Sequence, residues 1–468
     1  MAHLTKGQRL PEKRNFGSSF PFDDFGQLDG VRGEGDVNTS VISGAYGGFS
    51  NTWGAQTMVY SAASFVDWPF SRDELEPDYR AILSSIPYAG ERDDLEEYFP
   101  LWGPADPLPP LSDNATRILE RYRRHRLQVR RHGVILGKSR LALKGSSCVS
   151  CGLCLTGCPY SYVYSASHTF DDLILSQRVE YVAGFAAEEV GEEGERPYVV
   201  AREIATGARE TFRADRVFLA CGAIGTTRLV ASSLEMWSQP IHLQESAQFL
   251  MPLASIRGSK RLSQDDSFTL NQFNILMPFD EAGRDLVQIH GYPYNKSMDE
   301  ALPAVLRTAT TRFLGAMVLK HLTVGLGYLP SWWSPGFDVT IERPVAGAHS
   351  ARVLITSDSK GDLLAAEKLR AINGRLMCVA PYLGVVPVVP MVSLSPPGKS
   401  YHYGGSFPHA NDPVEGRETD LLGRLHPWRN VHLVDASAFP TVSATTFTLT
   451  IMANAHRIAR AVAGSARG

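Results

Sequence analysis

The sequence predicts an α/β chain, α+β overall, made of two units, and three observations predict it. Asp215-Arg-Val-Phe-Leu-Ala-Cys221 reads as a buried strand running into the turn Gly222-Ala223-Ile-Gly225 and a helix from Thr226, a strand–turn–helix unit of the kind that brings backbone N–H groups up to a ligand. The carboxyl-terminal segment repeats the pattern, with a strand Asn430-Val-His-Leu-Val-Asp435, a turn over Ala436–Thr441 and a helix over about Thr448–Val462. Between these two pieces, residues 236–400 read as strands with a few helices, the longest helical stretch being Leu363–Ala380.

Length and composition agree with a folded two-unit chain: 468 residues, 44% apolar and 20% charged. Lys plus Arg at 46 against Asp plus Glu at 49 gives no overall basic charge, so no nucleic-acid partner is expected. A local basic run, Arg117 to His132, reads first as a solvated helix face and second as a dock for an acidic redox partner. The amino terminus has no apolar secretory core, which places the expectation in the cytoplasm. The most apolar stretch, Phe313 to Leu329, is interrupted by Lys320 and His321, so a core helix is expected there rather than a membrane span.

Along the chain, residues 1–45 are polar and glycine-rich with little periodicity and read as an irregular arm. A glycine-rich loop, Tyr46 to Ala55, follows. Ser71 and Glu74 are spaced as a capping box, which predicts a helix after Asp67-Trp68-Pro69-Phe70. Alternating stretches at Arg178–Val190, Tyr198–Ile204 and Glu210–Arg213 predict a β-meander.

Four cysteines, Cys148-x-x-Cys151-x-x-Cys154-x-x-x-Cys158-Pro159, have the spacing of a bacterial ferredoxin run, in which closely spaced thiolates wrap an iron–sulfur cluster. Structural zinc sites separate two pairs by a longer loop, so an iron–sulfur cluster leads. Either Cys158 closes the site, or Cys221 or Cys378 does, or three ligands hold a 3Fe-4S rather than a 4Fe-4S cluster.

The last helix aims its amino terminus, after Thr445-Thr446-Phe447, at whatever lies beside the turn, and such a terminus stabilises negative charge. The segment VDASAFPTVSATTFTLTIMANAHRIA resembles the carboxyl-terminal signature of the glucose-methanol-choline oxidoreductases. The resemblance extends, in family order, to Gly47-Gly48-Phe49-Ser50-Asn51-Thr52-Trp53-Gly54, to Asp215 through Leu229, and to His402-Tyr-Gly-Gly-Ser406. It implies an FAD-binding, Rossmann-like domain over 1–235 and 401–468, with a cysteine loop at 145–170, and an antiparallel-sheet substrate domain over 236–400. It further implies FAD contacts from Gly47, Gly48, Ser50, Asn51, Thr52, Trp53, Gly54, Gly222, Ala223, Asp435, Ala436, Thr446, Phe447 and Thr448.

By the same resemblance His402 is the base that takes a hydroxyl proton while hydride leaves for flavin, a role that suits an imidazole. Thr446 stands where the family has His or Asn; it can hydrogen-bond a substrate oxygen but is no base. Thr52 stands near a position where some relatives attach flavin through His, so a non-covalent cofactor is expected. The family's opening strand, Gly-x-Gly-x-x-Gly turn and helix have no counterpart here, because Gly30-Val-Arg-Gly33-Glu-Gly35 follows no predicted strand. The Rossmann-like domain is therefore incomplete in this sequence, and either upstream residues or another polypeptide supplies the first βαβ unit, or tight FAD binding is lost.

The resemblance implies a dehydrogenase of CH–OH groups, with a sugar or glycoside as substrate and an electron-acceptor protein as partner. Three-iron clusters occur in resembling sugar dehydrogenases, whereas some resembling alcohol oxidases have a cysteine-rich loop and no cluster. Trp332, Trp333, His290 and Tyr292 are candidates for a sugar-stacking surface. The alternative from another class is a non-catalytic electron-transfer or scaffold subunit.

Overall fold

A computed structural model describes residues 14–23, 30–259, 267–295, 312–344, 351–357 and 362–465. The arm expected over 1–45 is therefore described only in part, and residues 1–13, most of the stretch read as lacking an apolar secretory core, lie outside the described residues.

The dominant element is a seven-stranded antiparallel sheet in the order β14 (Val385–Pro387), β8 (Gln248–Ser255), β11 (Leu322–Tyr328), β10 (Leu286–Tyr292), β9 (Phe273–Pro278) and β2 (Ile135–Lys138), with β15 (Ser393–Leu394) also on β8. Period-two alternation explains its faces. Phe249, Met251, Phe273, Ile275, Val287 and Ile289 all point one way and form a core with helices α2 (Asp113–Arg124), α3 (Arg126–Arg131) and α7 (Asp362–Leu383). Each fully buried side chain of this kind contributes about 1.5–3 kcal/mol. The intervening residues Asn274, Gln288, His290, Tyr292 and Tyr328 point the other way.

A five-stranded sheet runs β1 (Val31–Glu34), β13 (Arg352–Thr356), β12 (Phe337–Glu342), β7 (Pro240–Glu245) and β16 (Tyr403–Gly404). The meander β3 (Phe185–Glu193), β4 (Arg196–Glu203) and β5 (Arg209–Arg213) forms as the alternation predicts, its first strand starting later than Arg178. The two strand–turn–helix units also form: β6 (Val217–Leu219) leads into α5 (Ala223–Ser233), and β17 (Val431–Leu433) leads through a 3-10 turn (Ala436–Ala438) and a longer connection to α8 (Thr448–Ser465). β6 and β17 pair in parallel as a sheet of their own. The remaining helices are α1 (Glu76–Ser85), α4 (Ala166–Leu175) and α6 (Arg312–Leu319).

Several expectations are corrected. Phe313–Leu329 is not one core helix, because α6 ends at Leu319 and β11 follows. Gly325 and Gly327 decide this: a Cβ on Gly325 would stand 2.5 Å from the Met251 carbonyl oxygen, and one on Gly327 would enter the Phe249 ring. Gly33, expected in an irregular arm, lies in β1 beside Ile355 of β13. The predicted β6 is not buried, since Phe218 is 42% exposed and no second strand covers that edge among the described residues. The basic run is partly spent internally: Arg126 and Arg130 pair with Asp94, and Arg121 donates to the carbonyls of Pro381 and Tyr382. The two sequence units also interleave, for β2 and α2 join the 236–400 sheet while β16 joins β7. No helix among the described residues is long and apolar enough to cross a membrane.

Ser71 and Glu74 do form the expected box: the Ser71 amide donates to Glu74 Oε2 at 2.7 Å and the Glu74 amide to Ser71 Oγ at 3.3 Å, one short 3-10 turn ahead of α1.

Candidate active site

His402 ends the turn before β16, and its ring stacks on Tyr328 of β11 at 4.6 Å and 23°. Phe447 also lies against it, 5.0 Å away and tilted by 51°; its carbonyl accepts the Ile451 amide in the first turn of α8. Burial pushes the His402 imidazole down to about 3, so the ring is neutral with its lone pair free, and burial by itself makes it a weaker base than an exposed imidazole. Nδ1 of His402 is buried without a partner, and so is Oγ1 of Thr446. Buried polar atoms without a partner recur elsewhere among the described residues, but these two belong to the His402–Phe447 contact and to the residue just before Phe447 at the start of α8, which makes this the candidate place for a ligand.

Beyond Tyr328 the sheet face turns polar. His290 lies 4.9 Å from Tyr328, and its Nε2 is 3.0 Å from Gln56 Nε2. Gln56 and Gln288 donate to Asn274 Oδ1 at 3.0 and 2.9 Å, and Asn271 donates to both Gln56 and Asn274. Sequence reasoning missed Gln56, Asn271, Asn274 and Gln288. The signal was available for one of them, since Gln288, His290 and Tyr292 alternate along β10 and must share a face. The expected stacking surface does not form, because Trp332 and Trp333 lie in a short 3-10 turn, Ser331–Trp333, rather than on β10: Trp333 packs in the helix-side core, 5.4 Å from Phe279 and beneath Lys368, and Trp332 donates to Asp285.

The glycine-rich loop is welded to the segment after the cysteines. Gly47 has φ 86, and a Cβ there would sit 3.1 Å from Ser165 Oγ. Ser50 Oγ accepts the Ala166 amide at 2.9 Å, Ser165 donates to Asn51 Oδ1 at 3.1 Å, Asn51 donates to the Tyr46 and Gly48 carbonyls, and Trp53 donates to the Tyr164 carbonyl at 2.7 Å. Thr52 donates to the Phe49 carbonyl, and Gly54 leads into buried Ala55 at φ 54. A cavity of about 170 Å³ opens between this loop and Cys154 and Cys158.

All four loop cysteines are free thiols. Burial pushes the Cys148 and Cys154 thiols up, and Cys158 adds to both shifts. Backbone amides of Thr269 and Tyr162 donate to the sulfurs of Cys154 and Cys158, each at 3.4 Å. Soft thiolate donors suit iron. Even so, among the described residues no group of three His, Cys, Asp or Glu side chains is disposed to hold a metal ion. The geometry therefore gives the cluster no support, and Cys221 and Cys378 add none.

At the parallel pair, Asp435 is spent internally: Oδ1 accepts the Ser437 amide at 2.9 Å and Oδ2 the Thr226 hydroxyl at 2.5 Å. That clamp ties β17 to α5. Gly222 caps α5 at φ 77 with its Cα side open, and Ala223 begins the helix. The Ala436 carbonyl accepts the Gly405 amide at 2.9 Å. Thr448 is half-buried while Thr441 through Phe447 are buried, so the amino terminus of α8 is where this segment opens outward. A helix terminus with orphan polar atoms beside it fits the negative edge of a reduced flavin.

Neither a family model nor a curated protein sequence matches the chain. Solved structures do. The crystal structure of pyridoxine 4-oxidase from Mesorbium loti is similar over 97% of this chain and 98% of that one, at 14% identity and a TM-score of 0.56. The chain shares that protein's fold. An FAD-dependent oxidoreductase from Chaetomium thermophilum agrees, over 93% of this chain and 89% of that one, at 12% identity and a TM-score of 0.60.

Proposed function

We propose that the chain is a flavin-dependent oxidoreductase, a dehydrogenase of CH–OH groups acting on a sugar or glycoside, with His402 as the base. The observation that carries this reading is the pair of orphan atoms, His402 Nδ1 and Thr446 Oγ1, beside the α8 terminus. FAD, when bound, would supply the hydride acceptor. His402 then takes the hydroxyl proton, Tyr328 and Phe447 hold its ring in place, and Thr446 offers a hydrogen bond to the substrate oxygen. The neutral amide face beyond His290 suits a hydroxyl-rich, uncharged substrate better than an ionic one. The iron–sulfur cluster as the electron exit, with an acceptor protein beyond it, rests on cysteine spacing and on the amide bonds to sulfur alone.

The test is anaerobic flavin reduction by substrate in FAD-loaded protein. His402→Ala should slow it about 10²- to 10⁴-fold, whereas Thr446→Ala removes one uncharged hydrogen bond and should cost roughly tenfold at most. Parent rates in both variants would end the catalytic reading.

The open edge of β6 favours a second reading, a subunit that acquires flavin only when completed. A two-stranded parallel pair is unusual, because parallel strands are normally buried on both sides. We propose that a strand–Gly-x-Gly-x-x-Gly–helix segment outside this sequence docks on β6 over Phe218, and that this chain alone binds FAD weakly. Stoichiometric FAD retained by this chain through gel filtration would overturn that proposal.

A further inference from the structure

The turn that presents His402 is strained, and a buried carboxylate with no part in proton transfer holds it. Tyr401, immediately before His402, has φ 57, a left-handed conformation that bulky side chains rarely adopt. Such a residue persists only where its surroundings over-determine it. Beneath the turn lies Glu245, the last residue of β7, 1% exposed. Its Oε1 accepts the Ser400 hydroxyl at 2.6 Å and the Gly398 amide at 2.9 Å, and its Oε2 accepts the same Gly398 amide at 3.0 Å. Ser400 Oγ in turn accepts the His402 amide at 2.9 Å. The next residue after Glu245, Ser246, donates its amide to the His402 carbonyl at 2.8 Å. Both main-chain polar groups of His402 are thus fixed from one dipeptide, one directly and one through Ser400.

Burying a carboxylate is costly unless its lone pairs are filled, and among the described residues no cation pairs with Glu245. A role in packing alone would be met more cheaply by an apolar or amide side chain. We propose that Glu245 is the positioning residue for His402, acting through Ser400 to fix the strained turn and with it the stack of the imidazole on Tyr328. The proposal rests on His402 being the base.

The surroundings of Glu245 supply a readout. Facing it are Gly398 and Ser400 of the turn and Tyr403, paired opposite on β16. The 38–41 segment covers the turn: Asn38 Nδ2 donates to the Gly398 carbonyl, and the Val41 carbonyl accepts the Tyr403 hydroxyl. Burial holds Tyr403 well above the ordinary tyrosine range, so it stays neutral. The turn's one ammonium, Lys399, lies 5.8 Å from the Tyr401 ring centre. Burial pushes Glu245 itself up to about 7, against the donors, which lower it. A protonated Glu245 can direct its new O–H only at Ser400 Oγ, since its other contacts are N–H donors. The Ser400 hydroxyl must then turn away, and the His402 amide meets a changed acceptor.

The test uses the full chain labelled with ¹⁵N-histidine, the His402 amide being identified by its loss in His402→Ala. Its shift should titrate with a midpoint near 7 while the His402 ring nitrogens do not, and the titration should vanish in Glu245→Gln. In FAD-loaded protein, Glu245→Gln and Ser400→Ala should each slow flavin reduction at saturating substrate by roughly tenfold with little change in KM. Thermal melts establish that the variants fold, and Ser400→Ala serves if Glu245→Gln does not. The proposal is overturned if both folded variants reduce flavin at the parent rate, or if the amide titration survives in Glu245→Gln. Were His402→Ala to reduce flavin at the parent rate while the titration followed Glu245, the base assignment would fail and the main-chain coupling would stand.

Discussion

Replacing Gly404 with alanine should pry apart the two halves of the candidate site. The segment that follows His402 lies on the carboxyl-terminal turn through three backbone bonds, Gly405 to Ala436, Phe407 to Ser437 and His409 to Ala438, each 2.9 Å. A Cβ on Gly404 would fall on the Ala436 carbonyl oxygen and stand 2.9 Å from its carbon, inside the roughly 3.5 Å at which carbon contacts become favourable. The obstacle is main chain, so no side chain can swing away. Overpacking of this kind costs about 1–3 kcal/mol, and losing the adjacent Gly405–Ala436 bond adds about 0.5–1.5 kcal/mol. Gly404→Ala should therefore lower stability by about 2–4 kcal/mol, read as a lower urea midpoint at unchanged slope. Gly464→Ala is the control: nothing lies within 4 Å of its Cβ, and alanine in a helix should gain up to about 1 kcal/mol. If Gly404→Ala is as stable as that control, the contact between the two segments does not constrain the site as described.

Two further outcomes follow from the cysteine loop and from a buried histidine. The cysteine spacing and the absence of a metal-holding group of side chains among the described residues point opposite ways: if the proposed cluster forms, protein purified without oxygen contains iron and acid-labile sulfide and Cys151→Ser removes the broad visible absorption, whereas protein with no iron and no sulfide refutes it. His409 is buried, and burial pushes it down to about 4 from 6.5, so the unfolded chain binds more protons between those values. Its share of stability is complete above pH 6.5 and lost as pH falls to about 4, a loss of about 3 kcal/mol at roughly 1.36 kcal/mol per pH unit. Burial of His402 acts in the same direction. His409→Asn should flatten the acid dependence of unfolding, and an unchanged slope would refute this account.

What was legible in the sequence is what local chemistry dictates. The capping box at Ser71 and Glu74, the meander, and both strand–turn–helix units follow from caps, alternation and glycine turns, and each of them forms. The apolar run to Leu329 misled because composition cannot tell a strand from a helix; the glycines of β11, which need a flat approach to β8, were the overlooked mark. Glu245 could not be read at all. It lies 153 residues before Gly398 in the chain, and nothing local distinguishes a carboxylate gripping a remote turn from one facing solvent. The expected burial of β6 failed for the reverse reason: Val217, Phe218 and Leu219 are apolar enough for a central strand, but among the described residues only β17 pairs with β6, and Phe218, stacked on His432, stays 42% exposed.

The same contacts decide how the expected cofactor residues would act. Asn51 and Asp435 carry the side chains that sequence reasoning would aim at a ligand, yet Asn51 is bonded to Tyr46, Gly48 and Ser165, and Asp435 to Thr226 and Ser437. Groups already bonded inside the fold gain little by turning outward. The Gly48 amide is likewise taken by the Ala45 carbonyl and the Gly222 main chain by Asp435 and Thr226, so what remains to face a ligand is the start of α8, together with the unpaired atoms of His402 and Thr446. Oriented amides of that kind favour an anionic group through helix ends and turns. The polar side chains around them then act by holding those amides still, which is also the part proposed for Glu245 beneath His402.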